Sequence, residues 1–235
     1  MILPLVKTRR KQILIDIDTQ KDFLLVSGKA CVKNHRRVLA NIRRIMAWAR
    51  MNGIPIISTA EVYANNNGDS IPGYCLDGTE GQRKVHYTLV NNRVSFAADG
   101  NTDLPRDIFK RYSQVILHKR CVDPFDEPRI DRLLSETRAN EFIIIGTSLE
   151  GAIKATALGL LQRAKKVTII IDATGSHNIR EAKLAIRKME TKGARVIETR
   201  KLAGSSHLQL VGACNCESCQ GLARKTHAHI NVADN

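Results

Sequence analysis

Phe142-Ile143-Ile144-Ile145-Gly146-Thr147-Ser148-Leu149-Glu150-Gly151-Ala152-Ile153-Lys154-Ala155-Thr156-Ala157-Leu158 decides the fold. Four apolar residues end at a glycine, and six residues later an Ala-rich helical pattern begins. A continuous apolar run is what a strand buried on both faces requires, and both faces are buried in parallel sheets flanked by helices. Strand, sharp turn and helix start is also where an open α/β sheet builds its site, because the crevice lies beyond the strands' carboxyl ends and helix amides point into it.

Working outward, five more strand-like runs alternate with helical patterns: residues 13–18, 54–58, 115–119, 166–172 and 195–198. A helix is expected from about Asn34, with Val38, Leu39, Ile42, Ile45, Met46 and Ala49 at helical spacing and Gly53 as its stop. Another is expected near 127–138, using Ile130, Leu133 and Leu134. A third starts at Asn178, whose side chain suits a helix N-cap, and ends at Gly193. Residues 60–111 read as irregular, with turn signals at Asn67-Gly68 and Gly78-Thr79-Glu80-Gly81; so long a connection usually shapes a binding site. The expectation is a doubly wound α/β domain, a mostly parallel six-stranded sheet with helices on both faces, over residues 1–204, followed by a Cys/His-rich appendage over 205–235.

Composition bounds the function. The 235 residues are 43% hydrophobic, enough for a full core, and no run approaches the ~18 apolar residues of a membrane span. The first residues have their charges after the apolar part, unlike a secretory signal, so a cytoplasmic protein is expected, with no membrane partner. Lys and Arg number 37 against 23 acids, a formal +14, which favours acidic partners: nucleic acid, phosphorylated metabolites or anionic surfaces. Aromatics are only 4% and do not interleave with the clusters Arg9-Arg10-Lys11, Arg36-Arg37 and Arg43-Arg44 as stacking platforms would, so nucleic acid is a weakly supported partner.

Charged residues at strand ends are the candidates for chemistry. Asp18, in Asp18-Thr19-Gln20-Lys21-Asp22-Phe23, follows the first strand and faces the crevice, where a carboxylate can act as a general base. Asp16 lies two residues earlier on the same side of an extended strand, placed to repel Asp18 or to hydrogen-bond a neighbouring loop. Lys119 ends the third strand, with Phe125 six residues on. His177 follows the fifth strand, lining the pocket or bonding within its loop. Glu150 is either a second acid/base or a helix-start acid favoured by the dipole.

These motifs, in this order, resemble the isochorismatase-like cysteine hydrolases, the family that includes nicotinamidases, over roughly residues 12–200. The matching elements are hydrophobic-Asp-x-Gln-x-Asp-Phe at 17–23, Gly78-Thr79-Glu80-Gly81, Lys119, the Gly146 turn with Thr156-Ala157, and Asp172-Ala173. The resemblance implies a Rossmann-like fold, small-molecule substrates and a homo-oligomer. It assigns proton transfer to Asp18, electrostatic support to Lys119 and the nucleophile's position to Ala152. Gln20, Phe23, Phe125, Glu150 and Gly151 become candidate substrate contacts. Two departures stand out. Ala152 has no nucleophilic atom, so a thioester cannot form there. The family's Asp-x-His-x-x-His metal site falls on Glu61-Val62-Tyr63-Ala64-Asn65-Asn66, without a histidine, so the core is expected to need no cofactor. Members acting on isochorismate also lack the Cys and hydrolyse a vinyl ether by proton transfer and water attack. The expected function is therefore Cys-independent acid/base hydrolysis of a small carboxylate, amide or vinyl ether by Asp18 and Lys119, with a catalytically inactive binding protein (a pseudoenzyme) as the alternative. In the appendage, Cys214, Cys216 and Cys219 crowd three thiols into six residues, a candidate zinc site that His207, His227 or His229 would complete, with a redox-active thiol cluster or plain structural cysteines as the alternatives.

Overall fold

The computed structural model describes residues 10–64 and 72–204. Its strands are β1 (Arg10–Ile17), β2 (Ile56–Glu61), β3 (Arg93–Phe96), β4 (Gln114–Lys119), β5 (Ala139–Gly146), β6 (Val167–Thr174) and β7 (Arg195–Ile197). The helices are α1 (Lys21–Leu24), α2 (His35–Met51), α3 (Ile108–Arg111), α4 (Pro128–Glu136), α5 (Lys154–Gln162), α6 (Ile179–Thr191) and α7 (Thr199–Ala203). The strands form one sheet in the order β3-β4-β2-β1-β5-β6-β7, and every ladder between them is parallel.

Alternation along the buried runs supplies both layers of core. Ile13, Ile15, Ile17, Ile57, Phe142 and Ile144 face one side, packed with Ile130 and Leu133 of α4 and Leu160 of α5. Leu14, Ile56, Ile143, Ile145 and Ile170 face the other, packed with Val38, Ile42, Ile45 and Met46 of α2. Each such side chain taken from water stabilises the fold by about 1.5–3 kcal/mol, which is why apolar runs rather than alternating patterns mark these strands. α2 ends as its sequence suggests, with Gly53 at φ +59°, and the Asn178 side chain accepts N–H bonds from Arg180 and Glu181 at the start of α6.

The sheet has seven strands rather than six. The addition, β3, lies inside the stretch read as irregular. It is an edge strand of four residues, alternately exposed and half-buried, so only Val94 and Phe96 carry an apolar signal. The doubly wound arrangement places a topological switch between β1 and β5: the chain leaves β1 toward β2 on one side and β5 toward β6 on the other. That is where a crevice opens at the carboxyl ends of a parallel sheet. Among the described residues no helix is long and apolar enough to cross a membrane. Cys214, Cys216, Cys219 and the appendage lie outside the described residues.

Candidate active site

At the switch point the chain makes two abrupt turns side by side. Asp18 leaves β1 with φ 45° and Gly146 ends β5 with φ 120°. Thr147 clamps them, its N–H donating to Ile17 O (2.9 Å) and its hydroxyl to Asp18 O (2.8 Å). The Asp18 carboxylate is thereby aimed toward β2 and β4. Thr59 donates its hydroxyl to Asp18 Oδ1 at 2.6 Å, and Lys119 Nζ lies 2.8 Å from Asp18 Oδ2. The two residues singled out from strand ends are therefore in direct contact, and both are sealed from solvent.

A third charged group completes the cluster. Glu61 is the last residue of β2 and the direct register partner of Lys119 on β4; its Oε1 is 2.9 Å from Lys119 Nζ. The carbonyl of Cys121 accepts from the same ammonium at 2.9 Å, so three oxygens surround it. Sequence reasoning misses Glu61 when its stretch is read only for absent histidines; the rule that picks out Asp18 and Lys119, a charge at a strand's carboxyl end, also picks out Glu61.

Burial raises the Glu61 pKa above the ordinary carboxylate value, with Asp18 adding like-charge repulsion against the pull of Lys119. Burial alone would lower the Lys119 pKa, but Asp18 and Glu61 outweigh it and hold the ammonium above its usual value. One ammonium between two carboxyl groups leaves a surplus negative charge, and a proton on Glu61 removes it. The stability consequence has a definite sign. Above the unfolded pKa of 4.5 and below the raised folded value, the folded chain holds the extra proton, so its stability falls as pH rises through that window. Glu61→Gln keeps an oxygen for Lys119 and removes the titration. Urea unfolding at a series of pH values should show wild type losing stability relative to Glu61→Gln, by about 1.4 kcal/mol per unit of pKa elevation; parallel curves would refute the assignment.

Around the cluster the motif residues act through the backbone. The Gln20 side chain donates to Glu61 O (2.7 Å) and Gln82 O (2.8 Å) and accepts from Glu61 N (2.8 Å), pinning the end of β2. Asp22 accepts from Cys75 N (2.7 Å) and Lys29 N (3.0 Å), and a Cβ on Gly81 would stand 2.2 Å from its carboxylate, which is why that loop carries glycine there. The loop so held brings Tyr74 to Phe23 (ring centroids 5.2 Å) and to Tyr63 (5.9 Å), with the His177 ring 6.4 Å from Phe23. Tyr63 donates its hydroxyl to Glu61 Oε2 at 3.1 Å. Burial, then the nearby Glu61, raises both phenols' pKa values, so they remain O–H donors. Beneath, Asp16 is held by Lys84 (3.0 Å) and the Ser58 hydroxyl (2.8 Å).

The wide helical turn Leu149–Ile153 leads from β5 into α5. Ala152 is buried within the core cluster that includes Ile17, Leu149 and Ile153. The Gly151 N–H donates to Ser148 O (3.2 Å). Glu150 Oε1 accepts from the amides of His177 (2.7 Å) and Asn178 (3.0 Å), tying this turn to the loop before α6. Phe125 packs edge-close against Gly159 of α5 and under the Arg163 guanidinium, 4.0 Å from its centroid. The described thiols are poor nucleophiles: burial raises Cys31 and Cys75 and pushes Cys121 up to about 11.

A family model described as the isochorismatase domain matches residues 12–201. The chain belongs to the isochorismatase family. No match was found among curated protein sequences. Solved structures with the same fold include pyrazinamidase of Pyrococcus horikoshii in complex with zinc (20% identity, TM-score 0.62, covering 80% of this chain and 99% of that one). N-carbamoylsarcosine amidase from Thermoplasma acidophilum is similar (16%, 0.59, 80% and 96%), as is MAR1 ribonuclease from Caenorhabditis elegans (17%, 0.56, 88% and 90%). The donors beside Lys119 do not suit zinc. Glu61 gives one oxygen to the ammonium and the other to a phenol, so both are already engaged. Among the described residues no group of three or more His, Cys, Asp or Glu could hold a metal.

Proposed function

We propose that this chain is a hydrolase of small carboxylate, amide or vinyl-ether substrates that works by proton exchange, without a covalent intermediate. The observation that carries this reading is the contact of Asp18 and Glu61 with one Lys119 ammonium, at 2.8 and 2.9 Å. Two carboxyl groups in unlike surroundings divide the two halves of the work. Asp18, held by the Thr59 hydroxyl, takes the proton from an attacking water. Glu61, whose pKa burial raises, is the group to return a proton to the leaving nitrogen of an amide or to the carbon of a vinyl ether. Lys119 holds both and offsets charge that develops between them. Ala152, at the position the family resemblance assigns to the nucleophile, offers no atom for a thioester, and water replaces it. The substrate would meet the cluster from the side of Phe23, Tyr63 and Tyr74; the Tyr63 hydroxyl is engaged with Glu61, so the Tyr74 phenol would donate the hydrogen bond to a carboxylate or carbonyl.

The test is turnover of a panel comprising nicotinamide, N-carbamoylsarcosine, isochorismate and an RNA oligonucleotide, the last chosen for the likeness to a ribonuclease and the +14 charge. On any substrate turned over, Glu61→Gln should lower kcat by about 10²-fold or more with little change in KM, and abolish the basic limb of the pH profile. An unchanged kcat would remove Glu61 from the mechanism. One observation favours a second reading, a binding protein without turnover: three protein oxygens already surround the Lys119 ammonium. Saturable binding of a panel member with no turnover would select it.

A further inference from the structure

At the end of the sheet opposite Asp18, the starts of β1, β5, β6 and β7 enclose a groove of about 620 Å³. Seven residues of extended strand separate Lys11 from Asp18, roughly 23 Å, so the groove is remote from the carboxyl cluster. Lys11, Lys165, Lys166, Lys192 and Arg195 line it, with Glu141 as the single acid. Lys11, Lys166, Lys192 and Arg195 are exposed, and among the described residues none has a carboxylate partner. Glu141 does not neutralise them: its oxygens accept from the Gln12 amide (2.7 Å) and the Thr168 hydroxyl. Lys165 donates to two neutral carbonyls, Ser135 O and Thr137 O, both at 3.0 Å. Burial and the adjacent Arg138 and Arg163 hold its pKa below the usual lysine value, as unrelieved positive charge should.

We propose that this groove docks the phosphate backbone of a nucleic-acid duplex. Five cations around one engaged acid are complementary to a polyanion, and four of them are lysines, compact charges that suit phosphates without demanding one fixed geometry. No aromatic residue lines the groove, so it has no platform on which the bases of a single strand would stack. It also lacks the aromatic anchors that an acidic protein partner would bury. What remains is contact with regularly spaced phosphates, which positions a duplex without reading its sequence. The proposal is independent of the hydrolytic reading, since the two sites share no residue.

The test measures anisotropy of a labelled RNA duplex of about 20 base pairs with the full chain, across salt from about 50 to 200 mM. Wild type should bind with a linear log–log salt dependence. Lys166→Gln/Lys192→Gln/Arg195→Gln should flatten the slope by about 2.7, near 0.9 for each phosphate left without its cation, and weaken binding at least tenfold at the lowest salt. Each single variant should flatten it by about 0.9, so the inference stays testable if the triple variant folds poorly. A control with the same loss of charge elsewhere, Lys33→Gln/Arg36→Gln/Lys110→Gln, should leave the slope within about 1 of wild type. Equal flattening by the two triple variants would reduce the effect to diffuse net charge and overturn the groove. Equally tight binding of the single strand, or of poly-glutamate, would overturn the duplex; so would absence of binding at about 50 mM salt.

Discussion

Lys119→Met should destabilise the folded chain by about 3–5 kcal/mol, the largest loss expected from any single side chain at the site. The ammonium is fully buried and flanked by Asp18 at 2.8 Å and Glu61 at 2.9 Å. Methionine fills similar volume, so packing changes little, but two carboxyl groups are left facing each other without a counter-ion. The chain must then take up protons on both or admit water, and either route costs free energy that wild type does not expend. Loss of the bond to Cys121 O also frees the turn that follows β4. Because the damage comes from orphaned charge and not from a missing stem, Asp18→Asn in the same chain should recover part of it. A double-mutant cycle by urea unfolding should give a coupling of about 0.5–3 kcal/mol of stabilising sign. The deficit of the single variant should shrink as pH falls and the carboxyl groups protonate. A loss under about 1 kcal/mol would mean that the ammonium is not required to hold the carboxylates.

What can be read from the chain alone follows from how strongly burial constrains each segment. Ile143-Ile144-Ile145 is apolar on successive residues because one face meets α2 and the other meets α4 and α5, and only a two-sided strand demands that pattern. Asp18 and Lys119 are visible because a charge at the end of such a run has nowhere to point except the crevice. Arg93–Phe96 is not, because an edge strand with exposed alternate residues looks like loop. Glu61 hides behind a search for histidine, although its position on β2 matches that of Lys119 on β4. Glu150 shows the opposite limit: a helix-start acid can face the crevice or its own flank, and only the amides of His177 and Asn178, 27 and 28 residues away, show which. Long-range partners of that kind leave no periodic trace in a sequence.

Gly146→Ala should be nearly as damaging as loss of Lys119, for a reason that lies in the backbone. Gly146 has φ 120°, a conformation that L side chains rarely adopt, and a Cβ there would stand 1.9 Å from Ile17 O and 2.7 Å from Ile17 C. The obstacle is the backbone of the neighbouring strand, which cannot swing aside as a side chain would. Relief requires β1 and β5 to part where Ile17 and Gly146 are register partners and where Gly146 O accepts from Gly175 N at 2.8 Å. Strain at such a dihedral angle costs about 1–3 kcal/mol and forced overpacking a similar amount, so a loss of about 2–6 kcal/mol is expected. Gly53→Ala supplies the comparison. Gly53 also has positive φ, +59°, but nothing lies within 4 Å of its Cβ position, so only the dihedral term of about 1–2 kcal/mol should appear. Urea unfolding of the two variants separates close approach from backbone strain, and equal losses would contradict the steric account. The same displacement reaches the chemistry, because Thr147 ties this turn to Asp18 O at 2.8 Å. Any Gly146→Ala protein that folds should therefore carry Asp18 away from Lys119 and bind active-site ligands more weakly than Gly53→Ala does.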